Sequence, residues 1–228
     1  MQQIKSKYRV AAHGEVYTAE REVKAMCDLV KDETERIESR FLEPACGNGN
    51  FLAEILQRKL DGVKKKYAKS PSDYERYAFL AVTSLYGVDI LEDNVQECRK
   101  RLYHIWNTAY TTHMKNETNP LCLQAVQFIL SKNILCGDAL TLKKADNSPI
   151  IFSEWSFVGH NTVKRRDYRL DVLLQENTEK ENYQQQMALF DDEVNNEANW
   201  MIDKQTHKPI PKPIDYPITD YRMVQQYE

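Results

Sequence analysis

The chain lacks a surplus of positive charge. Thirty-one Lys and Arg stand against 34 Asp and Glu, leaving a formal net charge of −3 over 228 residues and a pI near 6.0. A protein that grips nucleic acid unaided has a basic face and often a basic pI, so the balance argues against strong autonomous DNA binding. No apolar run approaches the roughly 20 residues that span a bilayer. The polar start MQQIKSKYRV shows no secretory leader, so a cytoplasmic location is expected. No two cysteines have C-x-x-C spacing. Cys27, Cys46, Cys98, Cys122 and Cys136 are odd in number and scattered, which fits reduced thiols. The five histidines (His13, His104, His113, His160, His207) show no metal-ligand spacing, so no metal is expected. There is no internal repeat. What remains, 42% hydrophobic and 29% charged residues, is enough for one ordinary domain with a buried core and a tail.

The most informative stretch present is FLEPACGNGNF, residues 41–51. Two apolar residues lead to Glu43. Pro44, Ala45 and Cys46 follow, then Gly47-Asn48-Gly49-Asn50. Phe51, Leu52, Ile55, Leu56, Leu60 and Val63 then open a helical stripe. Strand, glycine turn and helix in that order form the crevice where open α/β sheets bind nucleotides. Glycine serves where φ is positive or where a Cβ would block a ligand. The string does not match G-x-G-x-x-G, and its carboxylate suits a cationic or hydroxyl-bearing ligand better than a pyrophosphate.

Periodicity along the chain predicts a helix from Glu20 with Thr18 as its N-cap, a charged connector over 31–39, and a first strand over 40–44. A helix runs from the glycines to about Lys66, with Lys64-Lys65-Lys66 at its negative end. Ser72-x-x-Glu75 reads as a capping box for a helix over 73–84. Leu85 to Ile90 is a second strand ending in an acid. Glu92 to Tyr110 is a long helix, and Asn119-Pro120 opens another that reaches about Leu130. Asn133 to Cys136 is a third strand closed by Gly137-Asp138-Ala139-Leu140. This alternation predicts parallel strands joined by helical crossovers. Beyond it, 149–158 reads as a strand, and 168–174 fits strand or helix. Residues 175–199, rich in Glu, Gln and Asn, fit a solvated helix or a linker, and 208–218 reads as extended proline-rich chain.

The glycine stretch resembles motif I of S-adenosylmethionine-dependent methyltransferases, and its PACGNG form looks like the adenine-N6 DNA methyltransferases of restriction-modification systems. The resemblance covers roughly 14–140. It implies that Asp89, as motif II, accepts from ribose hydroxyls and that Ile90 packs on the adenine. It implies that Asp138, in motif III, accepts from the adenine amino group. His13-Gly14-Glu15-Val16-Tyr17-Thr18 resembles motif X, with Ala19 in place of the usual proline, and puts Thr18 on the methionine carboxylate. The implied cofactor is S-adenosylmethionine, held by Thr18, Glu43, Pro44, Ala45, Cys46, Gly47, Asn48, Gly49, Asn50, Asp89, Ile90 and Asp138. Each has a plainer reading as a turn or cap. The implied fold is α/β and class I methyltransferase-like (Rossmann-like). It would have a mostly parallel sheet with helices on both faces, incomplete after the third strand, and an irregular C-terminal tail. The domain would occupy 1–174, with a polar linker and proline-rich tail over 175–228.

That family carries a further motif, Asn or Asp followed by Pro-Pro and an aromatic, because the adenine must leave the stack and its amino group must be held by acceptors. No Pro-Pro occurs in this chain, and the catalytic residues stay unassigned. One explanation is that a second methyltransferase or specificity subunit supplies the motif, so that DNA is met only in a complex. Others are a non-catalytic binding or regulatory protein, or a small-molecule methyltransferase. Ser153-Glu154-Trp155 offers a carboxylate beside an indole as a rearranged site, against a reading of Trp155 as core packing and of Glu154 as solvated or paired with the nearby basic run. That run, Lys164-Arg165-Arg166, could meet phosphates or form a solvated face.

Overall fold

The computed structural model describes residues 6–13, 15–175, 200–202 and 209–227. The chain opens with α1 (Lys7–His13), α2 (Glu20–Leu29) and α3 (Lys31–Glu35), then β1 (Phe41–Glu43). Helices α4 (Asn50–Tyr67) and α5 (Pro71–Thr83) lead to β2 (Leu85–Asp89). Helices α6 (Glu92–Met114) and α7 (Pro120–Asn133) lead to β3 (Ile134–Cys136). The three strands form a parallel sheet in the order β1-β2-β3, with Phe41 opposite Leu85 and Gly87 opposite Ile134. The protein is therefore α/β with a three-stranded parallel sheet, compatible with a Rossmann-like fold.

Side chains alternate across a strand, and the two faces of this sheet meet different layers. Phe41, Leu85 and Ile134 join the core built with Leu52, Leu56 and Leu60 of α4, Phe79 of α5, Trp106 of α6 and Ile129 of α7. Each such side chain withdrawn from water contributes about 1.5–3 kcal/mol. Lys59 lies within this layer, fully buried. Its ammonium donates to Ile37 O (2.9 Å), Ser84 Oγ (2.7 Å) and Ser39 O, pinning α4 to the chain entering β1. Burial nevertheless pulls its pKa down to about 7.

The expectation of helices on both faces is corrected on the other side. There Tyr86, Val88 and Leu135 pack on Ile150, Phe152 and Leu170. These belong to, or adjoin, an antiparallel hairpin of β4 (Ile151–Phe157) and β5 (Thr162–Arg169). Burial alternates along β5, with Val163, Arg165 and Asp167 turned inward, the period of a half-buried strand and not of a crossover helix. The ambiguous stretch 168–174 divides: β5 ends at Arg169 and α8 (Leu170–Gln175) follows.

Two helix caps also differ from expectation. Ala19, not Thr18, is the N-cap of α2, with no side-chain bond. The α5 cap is Ser70, whose side chain accepts from Asp73 N–H, and Pro71 takes the first helical position. Glu75 is thereby released from capping and turned into the core.

Part of the stretch expected to be an irregular tail is built into the molecule. Strands β6 (Trp200–Ile202) and β7 (Pro209–Pro211) pair with each other. Strands β8 (Ile214–Asp215) and β9 (Thr219–Asp220) add to β5. A 3-10 turn over Tyr221–Gln226 then buries Tyr221 and Val224. Tyr221 Oη (2.7 Å) and Arg222 Nε (2.6 Å) both donate to Glu75 Oε1, and the Tyr110 hydroxyl bonds its second oxygen. Residues 176–199 and His207 lie outside the described residues.

Candidate functional site

At the carboxyl end of β1 the chain turns through two left-handed glycines, Gly47 at φ +51° and Gly49 at φ +84°. Gly49 is also the N-cap of α4. Cys46 N–H donates to Val88 O (2.8 Å) and Gly49 N–H to Cys46 O (2.8 Å), which holds the corner against β2. An added Cβ on Gly49 would lie 2.7 Å from Cys98 Sγ, so the residue is needed for close approach to α6 as well as for its backbone angle. The positive end of an 18-residue helix faces this turn, a setting that favours negative or hydrogen-bond-accepting groups of a ligand.

Two acids flank the corner. Glu43 is half-buried and, among the described residues, accepts only a long bond from Ala45 N–H (3.4 Å). Burial holds its carboxyl above the usual carboxylate range, so an incoming cation would find it short of donors. Asp89, at the end of β2, is buried. Its Oδ2 accepts from Gly47 N–H (2.9 Å), and its Oδ1 accepts from Leu91 N–H (2.9 Å) and Asn94 Nδ2 (3.2 Å). A carboxylate offers about four lone-pair sites, and three are taken from within the chain.

The remaining corner residues divide between exposed and engaged. Pro44 and Ala45 are exposed. Asn48 is buried, and its Oδ1 has no hydrogen-bond partner among the described residues. Such an orphan acceptor is costly unless something satisfies it. Asn50 is fully engaged, donating to Thr18 O (3.1 Å) and accepting from Arg101 Nη1 (2.6 Å). Thr18 is thus tied to the corner through its carbonyl. The neighbouring Cys98 thiol, together with burial, pushes the Cys46 thiol up, so it is not a poised nucleophile.

Ile90 is 61% exposed just beyond Asp89, an apolar side chain turned to solvent at the strand end. Gly137 N–H donates to Asp89 O (3.0 Å), bringing the end of β3 beside it. Asp138 Oδ1 accepts from Leu140 N–H (2.8 Å), which holds its carboxyl low. Its immediate role is to shape the turn that leaves Leu140 exposed. The residues singled out in the sequence thus gather at one end of the parallel sheet.

The basic run does not form one face. Strand alternation turns Arg165 inward, 5% exposed. There it pairs with Asp167 (2.7 Å), stacks 3.9 Å from the Tyr216 ring centroid and donates to Tyr227 O (2.8 Å). Lys164 and Arg166 both bond Asp215 Oδ1, at 3.2 and 2.9 Å. Glu154 pairs with Arg40 rather than with the run. Trp155 is buried, with Nε1 on Asn133 Oδ1 (3.3 Å) and its ring edge-on to Phe128. Among the described residues no His, Cys, Asp and Glu group could hold a metal. No helix there is long and apolar enough to cross a membrane.

Sequence reasoning missed Arg9 and Asn94, and it gave Glu15 no role of its own. Asn94 bonds Asp89, and Glu15 and Arg9 bond Asn94 in turn. The only signal available was the position of Glu15 inside the HGEVYT string.

No family model and no solved structure matches the chain. It is similar to DNA methyltransferase A of Bacillus subtilis (strain 168), with 23% identity over 143 residues, which is 59% of this chain. The chain spans 16% of that protein's length.

Proposed function

We propose that the corner between β1 and β2 binds S-adenosylmethionine, and that the chain is the cofactor-holding part of a DNA adenine-N6 methyltransferase of restriction-modification type. The observation that carries the reading is the set of unsatisfied or exposed groups at one sheet end: the under-bonded Glu43 carboxyl, the orphan Asn48 Oδ1 and the exposed Ile90 side chain. Their coincidence at one strand end is more than a turn by itself requires. The likeness to DNA methyltransferase A adds support from a separate direction.

When bound, the cofactor supplies a methyl group on a sulfonium centre, electrophilic enough to pass to a nitrogen. The chain's own residues bind and orient it. Glu43 offers a carboxylate to a cationic group, and Asp89 has a lone pair left for a ribose hydroxyl. Ile90 gives an apolar surface for an aromatic base, and the α4 N-terminus faces acceptor groups. Asp138 and the Thr18 backbone close the two sides.

A companion polypeptide supplies base recognition and the groups that hold the adenine amino hydrogens, because no Pro-Pro stands in this chain. Among the described residues β1 has no second neighbour, so a strand from the companion has an open edge beside the glycine corner.

The test is calorimetric titration of the purified chain with S-adenosylmethionine and S-adenosylhomocysteine, repeated on Glu43→Gln. Binding that weakens in Glu43→Gln while its unfolding midpoint stays unchanged is expected. No heat with either ligand at millimolar concentration overturns the cofactor assignment. A methylation assay on adenine-containing duplex DNA, with and without the product of the adjacent reading frame, tests the companion.

A further inference from the structure

Asp89 does not stand alone at the end of β2. It is the last member of a hydrogen-bonded series that starts on α1, and the members between are buried. Asn94 is 1% exposed, and the Glu15 side chain is 7% exposed. Asn94 Nδ2 donates to two carboxylates, Glu15 Oε1 at 2.7 Å and Asp89 Oδ1 at 3.2 Å. Its Oδ1 accepts from Arg9 Nη2 and the Tyr17 hydroxyl, both at 3.3 Å. Only this orientation of the amide works, because the flipped one would aim a carbonyl at two carboxylates and an NH2 at two donors. Glu15 is itself fixed by Arg9 Nη2 (2.8 Å), Arg9 Nε and the Tyr17 hydroxyl (3.0 Å). Arg9 is anchored in turn on Asp93 (2.7 Å). The Tyr17 ring lies against Gly47, where an added Cβ would meet it at 3.4 Å.

We infer that Glu15 is a positioning residue for the ligand site: through Asn94 it sets the orientation of the Asp89 carboxylate and so controls how well that acid accepts from a ligand's hydroxyls. The chemistry needs a hydrogen-bond acceptor at 15. An acceptor there captures one hydrogen of the Asn94 amide and leaves the other for Asp89. Asp89 Oδ1 is then filled by Asn94 and Leu91, and its remaining capacity lies on Oδ2, beside the Gly47 amide. Without Glu15 the Asn94 amide loses one of its two carboxylate acceptors, and Arg9 and Tyr17 lose the acid that holds them against it, so the donor that fixes the plane of Asp89 is held less firmly. The N-terminal segment thus tunes affinity without touching the ligand through this side chain.

The inference rests on the S-adenosylmethionine reading for its ligand, and the experiment separates the two. Titration with S-adenosylhomocysteine is run on the wild type, Glu15→Ala, Asp89→Asn and the double variant. Loss of a hydrogen bond to a charged group supports an expectation of about tenfold weaker binding in Glu15→Ala. In the Asp89→Asn background the same change should cost less than about twofold, because its effect runs through Asp89. A merely structural role gives equal losses in both backgrounds and overturns the inference, as does unchanged or tighter binding in Glu15→Ala. Glu15→Gln, which keeps an acceptor for Asn94, should recover most of the affinity.

A second arm needs no ligand. Hydrogen exchange at the Gly47 and Leu91 amides, which both donate to Asp89, should speed up in Glu15→Ala while the α7 amides exchange as in the wild type. Wild-type protection at Gly47 and Leu91 overturns the coupling even if no nucleoside binds. Failure of the wild type to bind S-adenosylhomocysteine overturns only the cofactor assignment.

Discussion

Gly49→Ala separates two costs that meet at one atom. The first is conformational. The residue sits at φ +84°, where an L side chain costs about 1–2 kcal/mol. The second is steric. The new Cβ would stand 2.7 Å from Cys98 Sγ, and Cys98 is fully buried on α6. Forcing atoms into a packed interior costs about 1–3 kcal/mol. Together the change should destabilise the protein by about 2–5 kcal/mol. Cys98→Ala removes the sulfur and leaves Cys98 Cβ at 3.4 Å, an ordinary contact. Gly49→Ala introduced into Cys98→Ala should therefore cost only the backbone part, about 1–2 kcal/mol. Whatever the loss of the Cys98 thiol itself costs is common to both arms and cancels. Urea unfolding of the four proteins, analysed at equal slopes, gives the coupling energy. A Gly49→Ala cost that is the same with and without the sulfur refutes the close-approach argument. A cost under about 0.5 kcal/mol, in the range of a neutral surface change, refutes both parts.

Three further outcomes are expected. Glu75→Ala removes the acceptor of Tyr110, Tyr221 and Arg222, leaving two buried hydroxyls without it and the half-buried Arg222 with Asp220 alone. A loss of about 3–5 kcal/mol is expected, and a urea midpoint within error of the wild type would count against the clamp. Arg165→Ala strands Asp167 in the interior and should destabilise by a similar ~3–5 kcal/mol. If its only effect is a lower salt dependence of DNA binding with stability intact, the buried placement is wrong. Lys59, held near 7 when folded and near ~10.4 when unfolded, makes the unfolded chain the better proton binder between those values. The part of the stability that Lys59 contributes should then rise from pH 7 towards pH 10 and be flat below pH 7, read as the difference between the wild type and Lys59→Met. Urea midpoints at pH 6.5, 8 and 9.5 check the slope, which Lys59→Met should flatten.

The glycine corner and the three parallel strands were legible because their signals are local: a carboxylate, two glycines within three residues, and helical stripes on either side. The hairpin was only half legible. Pro149 to Val158 reads as a strand, but Lys164-Arg165-Arg166 looks like a solvated face, and nothing local says that Arg165 has Asp167 and Tyr216 around it. Glu75 misled in the opposite sense. Ser72-x-x-Glu75 is a sound cap on paper, yet Ser70 with Pro71 starts the helix two residues earlier. Three partners distant in sequence then claim the acid. Asn94 carried no signal, since an asparagine in a first helical turn is unremarkable until Glu15 and Asp89 are seen on either side.

The bond between Glu75 and Tyr221 spans 146 residues of chain. A ribosome adds about 5–20 residues each second, so the acid on α5 emerges many seconds before the tyrosine that satisfies it. Over that interval the acid in the helical layer has Tyr110 but lacks two of its three donors. Arrival of residues 221 and 222, rather than docking of the first helices, is the event that lets the interior seal. A chain broken off before residue 221 would be left in that half-finished condition and exposed to proteolysis.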